Sequence, residues 1–312
     1  MTLRLLVVIA LSVLLMVLSP FVGESLEGDQ GSFIFWQLRL PRMLMGFMVG
    51  ATMSLTGAVY QTLFVNPLAT PSTIGTTAGA ALGALVAVVF IPSGLALGMP
   101  IMALCAFLGA LLVTLVVAAI ASSGRARVND VLLAGIALTL AAGAMSTGLQ
   151  FKADMAATFQ AVRWSLGHLA QVGYRGVWVL LPFVLIANGV LLSQTRAMDA
   201  LVAGEDRAHT QGVNVLRVRT LGLGMGALGV GACVAWCGPI AFVGLIVPHM
   251  VRLALGAGRR ILLPMSALCG GVFLVVCDSL ARVIITGRDL PVGVITAGLG
   301  APLLVWLVAR RR

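Results

Sequence analysis

Few side chains in this sequence of 312 residues could carry out chemistry, because it holds only ten acidic residues and three histidines. His168, His209 and His249 are scattered, and none has a second ligand at the spacing of a metal site. Lys152 is the single lysine and follows Phe151, so the Gly-Lys-Ser/Thr element of a phosphate-binding loop is absent. We therefore predict no enzymatic activity in this chain, no catalytic residue, no metal site and no bound cofactor.

Asp278 is the one clear candidate for a carboxylate inside an apolar segment. Carboxylates in such positions bind or relay ions in carriers. Arg282 lies four residues further on, so both side chains share one helix face and can form a local ion pair. We predict the ion pair, and an ion-coupled secondary carrier stays open as an alternative class of function.

Residues 193–219 form the longest charged stretch after the N-terminal third of the chain. Within it, Gly204 and Gly212 bracket a segment that begins with Glu205 and Asp206. Acidic residues favour the first turn of a helix and glycine favours its end, so we predict a short polar helix. A chain needs only a tight turn to reverse direction between two membrane spans. The larger segment therefore predicts a surface that contacts a partner, with a solvated loop as the alternative.

The composition places these residues in a membrane. The chain is 60% hydrophobic and only 10% charged, which predicts a polytopic membrane protein in contact with lipid. The net charge of +10 does not indicate a nucleic-acid partner, because the basic residues are spread between apolar runs. The five cysteines lie inside apolar runs and show neither a disulfide framework nor metal-site spacing.

Ten apolar runs predict spanning helices, which makes the fold class an all-α integral membrane protein. The first, Leu3–Phe21, is long for a signal peptide and no cleavage site is evident after it. The run at 242–255 is short for a full span and predicts a tilted, broken or partly buried helix. The other predicted spans are 43–63, 74–91, 100–121, 131–151, 176–192, 221–237, 265–285 and 292–308.

The basic residues predict the orientation of these spans. With the N-terminus inside, thirteen of the twenty Lys and Arg residues fall in inner segments and seven in outer segments. The positive-inside rule then places both termini, and residues 193–219, in the cytoplasm.

An internal echo predicts an inverted repeat. Four glycine and proline positions around the second span recur around the seventh span at one constant offset. These spans are five apart and run in opposite directions, and transporters with inverted repeats place the pathway at the repeat interface. The pairs are Gly50 with Gly231, Gly57 with Gly238, Pro67 with Pro248, and Gly75 with Gly256.

Two segments with helix-breaking residues predict a pathway. Residues 66–71 form an uncharged turn with two prolines, and residues 238–244 interrupt a membrane segment before Pro248 and His249. Broken helices at membrane depth are tolerated where they are buried or line a cavity. A structural membrane anchor, a further alternative, would need no such breaks.

The motifs at these positions resemble one known family. They are Arg39-Leu40-Pro41-Arg42, Asn66-Pro67-Leu68-Ala69, the run from Gly238 to His249, Leu290-Pro291-Val292-Gly293 and Gly300-Ala301-Pro302. From about residue 36 to the C-terminus the chain resembles the permeases of ATP-binding-cassette (ABC) importers for ferric siderophores, haem and cobalamin, the FecCD type. The resemblance implies one permease domain over residues 1–312, with the ten-helix fold of vitamin B12 importer permeases in type II ABC importers.

The same resemblance implies a location, partners and a function. The location is the bacterial cytoplasmic (inner) membrane. The partners are two cytoplasmic ABC ATPase subunits that hydrolyse ATP, a periplasmic substrate-binding protein, and a second permease subunit, either an identical copy or a sister chain. The function is translocation of an iron chelate, with a ferric siderophore as the first choice and haem or cobalamin as alternatives.

Individual residues take roles from the resemblance. Small residues in the ATPase-coupling motif would let a helix enter a groove on the ATPase; this motif comprises Gly204, Glu205, Ala208 and Gly212. Charged rims steer and orient a partner, and the positions that match binding-protein docking points are Arg39, Arg42 and Arg282. The gate and pathway positions are Asn66, Leu68, Gly238, Pro239, Pro248 and His249, with residues 131–151 lining the pathway.

One position departs from the family pattern. Family members often carry a small polar residue after the glycine of the Trp164-x-x-Gly167 segment, where this chain has His168. A contact with haem at the outer mouth and a structural histidine are the two interpretations of this residue.

Overall fold

The computed structural model describes residues 2–23, 31–91, 94–96, 99–122, 128–170, 173–256, 258–285 and 289–309. The described chain is almost entirely helical. Its helices are α1 (Thr2–Leu18), α2 (Gly31–Phe33), α3 (Leu40–Leu63), α4 (Thr76–Phe90), α5 (Ile101–Ser122), α6 (Val128–Gln150), α7 (Met155–Ser165), α8 (Arg175–Ser193), α9 (Thr195–Val202), α10 (Glu205–Thr210), α11 (Val215–Cys237), α12 (Val243–Leu255), α13 (Arg259–Ala281) and α14 (Val292–Ala309). A 3-10 turn at Ser19–Phe21 follows α1, and a π-helical segment at Ile34–Arg39 joins α2 to α3. The two-residue strands β1 (Leu95–Ala96) and β2 (Met99–Pro100) pair antiparallel.

The ten predicted spans all correspond to helices. Among the described residues, seven helical segments are long and apolar enough to cross a membrane, and three shorter apolar helices complete the set. The short helix α12 occupies the run that the sequence marked as short. The largest difference is at the second span, which begins at residue 31 instead of residue 43. Arg39 and Arg42 obscured this start, because the hydropathy of an arginine does not show that the fold will bury it.

One face of α3 forms the centre of the molecule. Positions three or four residues apart share a helix face, and this face carries Arg42, Gly46, Gly50, Ser54, Gly57 and Gln61. A Cβ added at Gly50 would lie 2.2 Å from the carbonyl oxygen of Gly270 in α13, and one added at Gly57 would lie 1.9 Å from that of Gly244 in α12. The backbones therefore touch, as small residues at membrane helix interfaces allow. The first half of α3 is held against α13 and the second half against α12.

Burial varies strongly among the spans. Of the most apolar window in each segment, 83% is buried for Gly31–Leu63 but only 17% for Leu3–Phe21 and for Asn129–Gln150. The exposed side chains on α6 include Leu133 and Leu140. Soluble proteins rarely expose apolar surface of this extent to water. The chain is a multi-pass membrane protein, as its composition predicted.

The charged segment folds as predicted in its centre, and the structure adds helices beside it. The predicted polar helix is α10, bounded by Gly204 and Gly212. The preceding helix α9 was not predicted. Helix α7 was also missed in the predicted loop between the fifth and sixth spans. The sequence contains a signal for the start of α7, since Asp is a preferred N-cap residue. In the structure, Asp154 is that N-cap, and its side chain accepts a hydrogen bond from the Ala157 N–H.

The paired glycines of the internal echo do not occupy equivalent places. Gly57 lies inside α3, whereas Gly238 follows the last residue of α11. Gly75 precedes α4, whereas Gly256 follows α12. The constant offset is therefore wrong as a guide to equivalent residues, because α3 continues past Gly57 whereas α11 ends before Gly238. The inverted repeat stays a prediction at the level of whole helices.

Candidate functional site

A cavity of about 600 Å³ lies between the turn that follows α3 and the break that precedes α12. The turn contributes Leu68, Thr70, Pro71, Ser72 and Thr73, and the break contributes Pro239, Ile240, Ala241 and Phe242. Helices α3, α4, α7, α11, α12 and α14 form the rest of the wall, and their lining residues include Met53, Val230 and Ala297. None of the lining residues is charged, and the polar side chains among them carry hydroxyl groups. Such a wall can enclose a bulky solute without offering a fixed counter-charge.

The break before α12 depends on unusual backbone conformations. Gly238 has a φ of +73°, and a Cβ added there would lie 2.2 Å from the carbonyl oxygen of Trp164. Phe242 also has a positive φ, +68°, which costs a residue with a side chain on the order of 1 kcal/mol. Gly300 of α14 leaves room for the Phe242 ring, since an added Cβ would lie 2.5 Å from its Cγ. Gly238 thus shapes the break, while Pro239 lines the cavity.

The turn after α3 is shaped by its own side chains. The Asn66 Oδ1 accepts a hydrogen bond from the Leu68 N–H at 2.9 Å. The Thr73 hydroxyl accepts from the Thr70 N–H at 2.9 Å and donates to the Thr70 carbonyl at 2.7 Å. Leu68 is exposed and lines the cavity, so the turn presents an apolar side chain to it. A gate role for Asn66 and Leu68 stays a prediction.

Pro248 and His249 lie on α12 and are not among the lining residues. The first turn of the same helix lines the cavity instead, through Gly244 and Leu245. Pro248 is buried, so its effect on the wall passes through the helix backbone. The pathway assignment of these two residues stays a prediction, and so does that of α6, which is also absent from the lining.

Arg42 is the centre of a buried ion-pair cluster. Its Nε donates to the two carboxylate oxygens of Asp278 at 3.0 and 2.9 Å, and its Nη1 pairs with Asp289. The Arg282 Nε lies 3.4 Å from the Asp278 Oδ2, which confirms the predicted ion pair within α13. No local pattern predicts the contact of Arg42 with Asp278, because the two residues are 236 positions apart.

The predicted docking arginines are tied into the chain itself. The Arg39 Nη1 donates to the Pro20 carbonyl at 3.1 Å, and the Arg282 Nη2 donates to the Ser19 carbonyl at 3.3 Å. The exposed fraction is only 8% for Arg39 and 9% for Arg42. These contacts fasten the end of α1 to α3 and α13. Docking of a binding protein by these residues stays a prediction.

The predicted coupling residues have unlike surroundings. Glu205 is exposed on α10, and its carboxylate pairs with Arg219 of α11. Gly204 and Gly212 have φ values of +114° and +75° and no atom within 4 Å of an added Cβ, so backbone conformation alone requires glycine. Ala208 is fully buried against its own chain. The explanation that Ala208 is small in order to enter a partner's groove is therefore wrong, while the coupling role of the segment stays a prediction.

His168 contacts the C-terminal end of α11 through its backbone. The backbone N–H of His168 donates to the Cys237 carbonyl at 2.7 Å, whereas the imidazole Nδ1 is buried without a hydrogen-bond partner among the described residues. Burial lowers the pKa of His168, and the positive charges of Arg163 and Arg42 lower it further. The imidazole is therefore neutral near pH 7. Within the described residues, no three His, Cys, Asp or Glu side chains are grouped so that they could hold a metal ion.

An uncharged cavity between two breaks, in a chain of apolar helices, defines this protein as a membrane transport permease. The model of the FecCD transport family matches residues 2–310. The chain belongs to that family, as its motifs predicted.

Individual relatives share most of their length with the chain. The cobalamin import system permease of Halobacterium salinarum is 42% identical over 91% of this chain and 75% of its own length. The vitamin B12 import system permease of Vibrio cholerae is 38% identical over 94% and 87%. The hemin transport system permease of Yersinia pestis is 36% identical over 89% and 84%.

A solved structure supports the fold. An inward-facing metal-chelate type ABC transporter matches with a TM-score of 0.88 and 29% identity, covering 98% of both chains. The predicted fold class is confirmed, and the chain is a permease of an ABC importer.

Proposed function

We propose that this permease translocates a large metal chelate through the cavity between the two breaks, and that cobalamin is the first substrate to test. The observation that carries the proposal is the uncharged wall with its hydroxyl groups. A corrin edged with neutral amides suits this wall, since hydroxyls can bond amides without a counter-charge. The names of two relatives point to cobalamin and that of a third to haem. The ferric siderophore predicted first has support only at the level of the family.

The proposal includes the partners of an ABC importer. The exposed side of α10, with Glu205, meets a cytoplasmic ATPase that hydrolyses ATP, and both termini lie on that side of the membrane. A substrate-binding protein meets the opposite side. The second permease subunit, an identical copy or a sister chain, packs against apolar faces such as that of α6.

Each predicted site keeps a role within this proposal. Asn66 and Leu68 form the cytoplasmic gate, and Gly238 and Pro239 hold the outer end of the cavity. Pro248 and His249 act through α12. The arginines at the outer end of α3 and α13 meet acidic residues on the binding protein, which requires their present ion pairs to open.

Transport by the reconstituted importer tests the proposal. The permease, its ATPase and its binding protein are placed in liposomes, and ATP-driven uptake of labelled cobalamin, haem and a ferric siderophore is measured side by side. Leu68→Trp narrows the cavity and should reduce uptake. Leu185→Trp is the matched control, because Leu185 is exposed on α8 and absent from the lining.

The outcomes separate the function from the substrate. Cobalamin uptake that Leu68→Trp reduces and Leu185→Trp preserves supports the proposal. Uptake of the siderophore alone would replace the substrate and keep the importer. Absence of ATP-driven uptake for all three would contradict the proposed substrate class.

A further inference from the structure

A polar side chain from α3 bonds a backbone carbonyl in the wall of the cavity. Pro248 lies inside α12 and has no backbone N–H, so the carbonyl oxygen of Gly244, four residues earlier, loses its helical donor. The side chain of Gln61 supplies another donor, because its Nε2 lies 3.3 Å from the Gly244 oxygen and 3.4 Å from the Leu245 oxygen. Gly244 and Leu245 both line the cavity. Gln61 therefore stabilises a part of the wall, at Gly244 and Leu245, where α12 lacks a backbone donor of its own.

The other end of the Gln61 amide binds beyond the proline. The Arg252 Nη2 donates to the Gln61 Oε1 at 3.0 Å. One amide thus joins Gly244, four residues before Pro248, to Arg252, four residues after it. The two partners also fix the orientation of the amide, since Gly244 needs a donor and Arg252 needs an acceptor. Gly57, one turn earlier on α3, brings the two backbones into contact at the same place.

The far end of α12 leads to the charged cytoplasmic segment. Helix α13 begins at Arg259, soon after α12 ends, and the Arg259 N–H donates to the Asp199 Oδ1 of α9 at 2.9 Å. Asp199 also lies 3.9 Å from the Arg260 Nε. A carboxylate at this position stabilises the N-terminus of α13. Since α9 adjoins α10, a movement of α10 reaches the end of α12 that carries Arg252.

We propose that Gln61 is a positioning residue that passes displacement of α10 and α9 to the cavity wall. This inference rests on the proposed function, because it assigns a relay within the same importer. Helix α3 is deeply buried and stays fixed, whereas α12 is short and interrupted by Pro248. When Arg252 shifts, Gln61 either keeps or loses the Gly244 oxygen, which gives the wall two discrete arrangements. A relay needs such an element with two states.

The number of substrate molecules transported per ATP hydrolysed measures this relay. The reconstituted importer is assayed with cobalamin for the wild type, Gln61→Met and Gln61→Glu. Methionine keeps the length of the side chain and loses both polar contacts. Glutamate keeps an acceptor for Arg252 and loses the donor to Gly244. The control is Thr62→Val, because Thr62 is equally buried but bonds only the Ala58 carbonyl of its own helix, at 2.8 Å.

We expect both Gln61 variants to lower the transport ratio by roughly 2- to 30-fold, the range found for residues in coupling networks. Thr62→Val should keep the wild-type ratio. A merely structural role would reduce uptake and ATP hydrolysis together and leave the ratio unchanged, which would overturn the inference. If Gln61→Met does not assemble with the ATPase, the transport ratio of Gln61→Glu alone tests the inference. Absence of uptake in the wild type would overturn the proposed function first, and the inference with it.

Discussion

Replacing Arg42 with methionine separates two roles for the arginines near the N-terminal end of α3. If Arg42 is a docking point, the variant loses affinity for the binding protein and little stability. If Arg42 serves the fold, the variant is destabilised on its own. The Asp278 side chain is only 3% exposed and is bonded by Arg42 at 2.9–3.0 Å. We expect the effect on stability to dominate.

The magnitude follows from what stays behind. Removing one partner of a buried ion pair costs about 3–5 kcal/mol, because the other charge remains buried. Arg282 still lies 3.4 Å from Asp278 and offsets part of that cost, so we expect a loss of roughly 3 kcal/mol. The double variant Arg42→Met with Asp278→Leu removes both charges and should recover part of this loss, because Arg282 loses Asp278 but keeps its bonds to the Ser19 and Val22 carbonyls. Asp289 tolerates the change, since its side chain is half exposed.

The assay is the free energy of unfolding in detergent, measured by denaturant titration for the wild type and both variants. Affinity for the binding protein is measured on the same samples at low and high salt, because exposed charge contacts weaken with salt. Arg217→Met is the control, since Arg217 is exposed on α11. A loss below about 1 kcal/mol, together with weaker docking at low salt, would refute the structural argument.

Three further predictions follow from individual contacts. Gly57→Ala places a methyl group 1.9 Å from the Gly244 oxygen and should lower the free energy of unfolding by about 1–3 kcal/mol. Gly224→Ala is the control and should cause no such loss, because an added Cβ there has no atom within 4 Å. Equal losses in the two variants would argue against a close contact between α3 and α12. Ala208→Leu overpacks the buried side of α10 and should lower the free energy of unfolding by about 1–3 kcal/mol. His209→Leu, on the exposed side of α10, should leave stability unchanged and weaken ATPase binding in a pull-down. A stability loss in His209→Leu and an ATPase-binding loss in Ala208→Leu would mean that the two faces of α10 are exchanged. The pKa of His168 in the folded chain lies below the unfolded value of about 6.5, so the unfolded chain binds more protons at low pH. The free energy of unfolding should therefore fall between pH 7 and 5.5, by at most about 1.4 kcal/mol per pH unit. Denaturant titrations should show a smaller loss in His168→Gln, and a variant with the wild-type pH profile would assign the loss to other groups.

Local chemistry explains what the sequence could predict. The spans follow from apolar length, and α10 follows from Glu205 and Asp206 ahead of a glycine. The break before α12 follows from Gly238 and Pro239. Each of these features is set by residues close together in the chain. The start of the second span at residue 31 could not be predicted in this way, because burial of Arg42 depends on Asp278 on another helix.

The candidate site shows the same division. The turn and the break that face the cavity were both identified from their helix-breaking residues. Gln61 was not identified, although it is the residue that joins α3 to the wall. A proline inside a helix always leaves one carbonyl without its donor, so Pro248 was a signal that some side chain must bond Gly244. Only the contact between α3 and α12 shows which side chain does so.

The division between fixed and movable parts follows from the packing of α3. This helix carries Arg42 at one end, the glycine contacts in its middle and Gln61 near its other end, and all of them face α13 or α12. Opening the cavity by moving α3 would break these contacts together. Helices α12 and α14 also line the cavity, and each begins after a proline-containing break, at Pro239 and Pro291. Under the proposed function, we therefore expect a passage for a bulky solute to open where α12 and α14 shift against α3, with the Gln61–Gly244 contact as the one that changes.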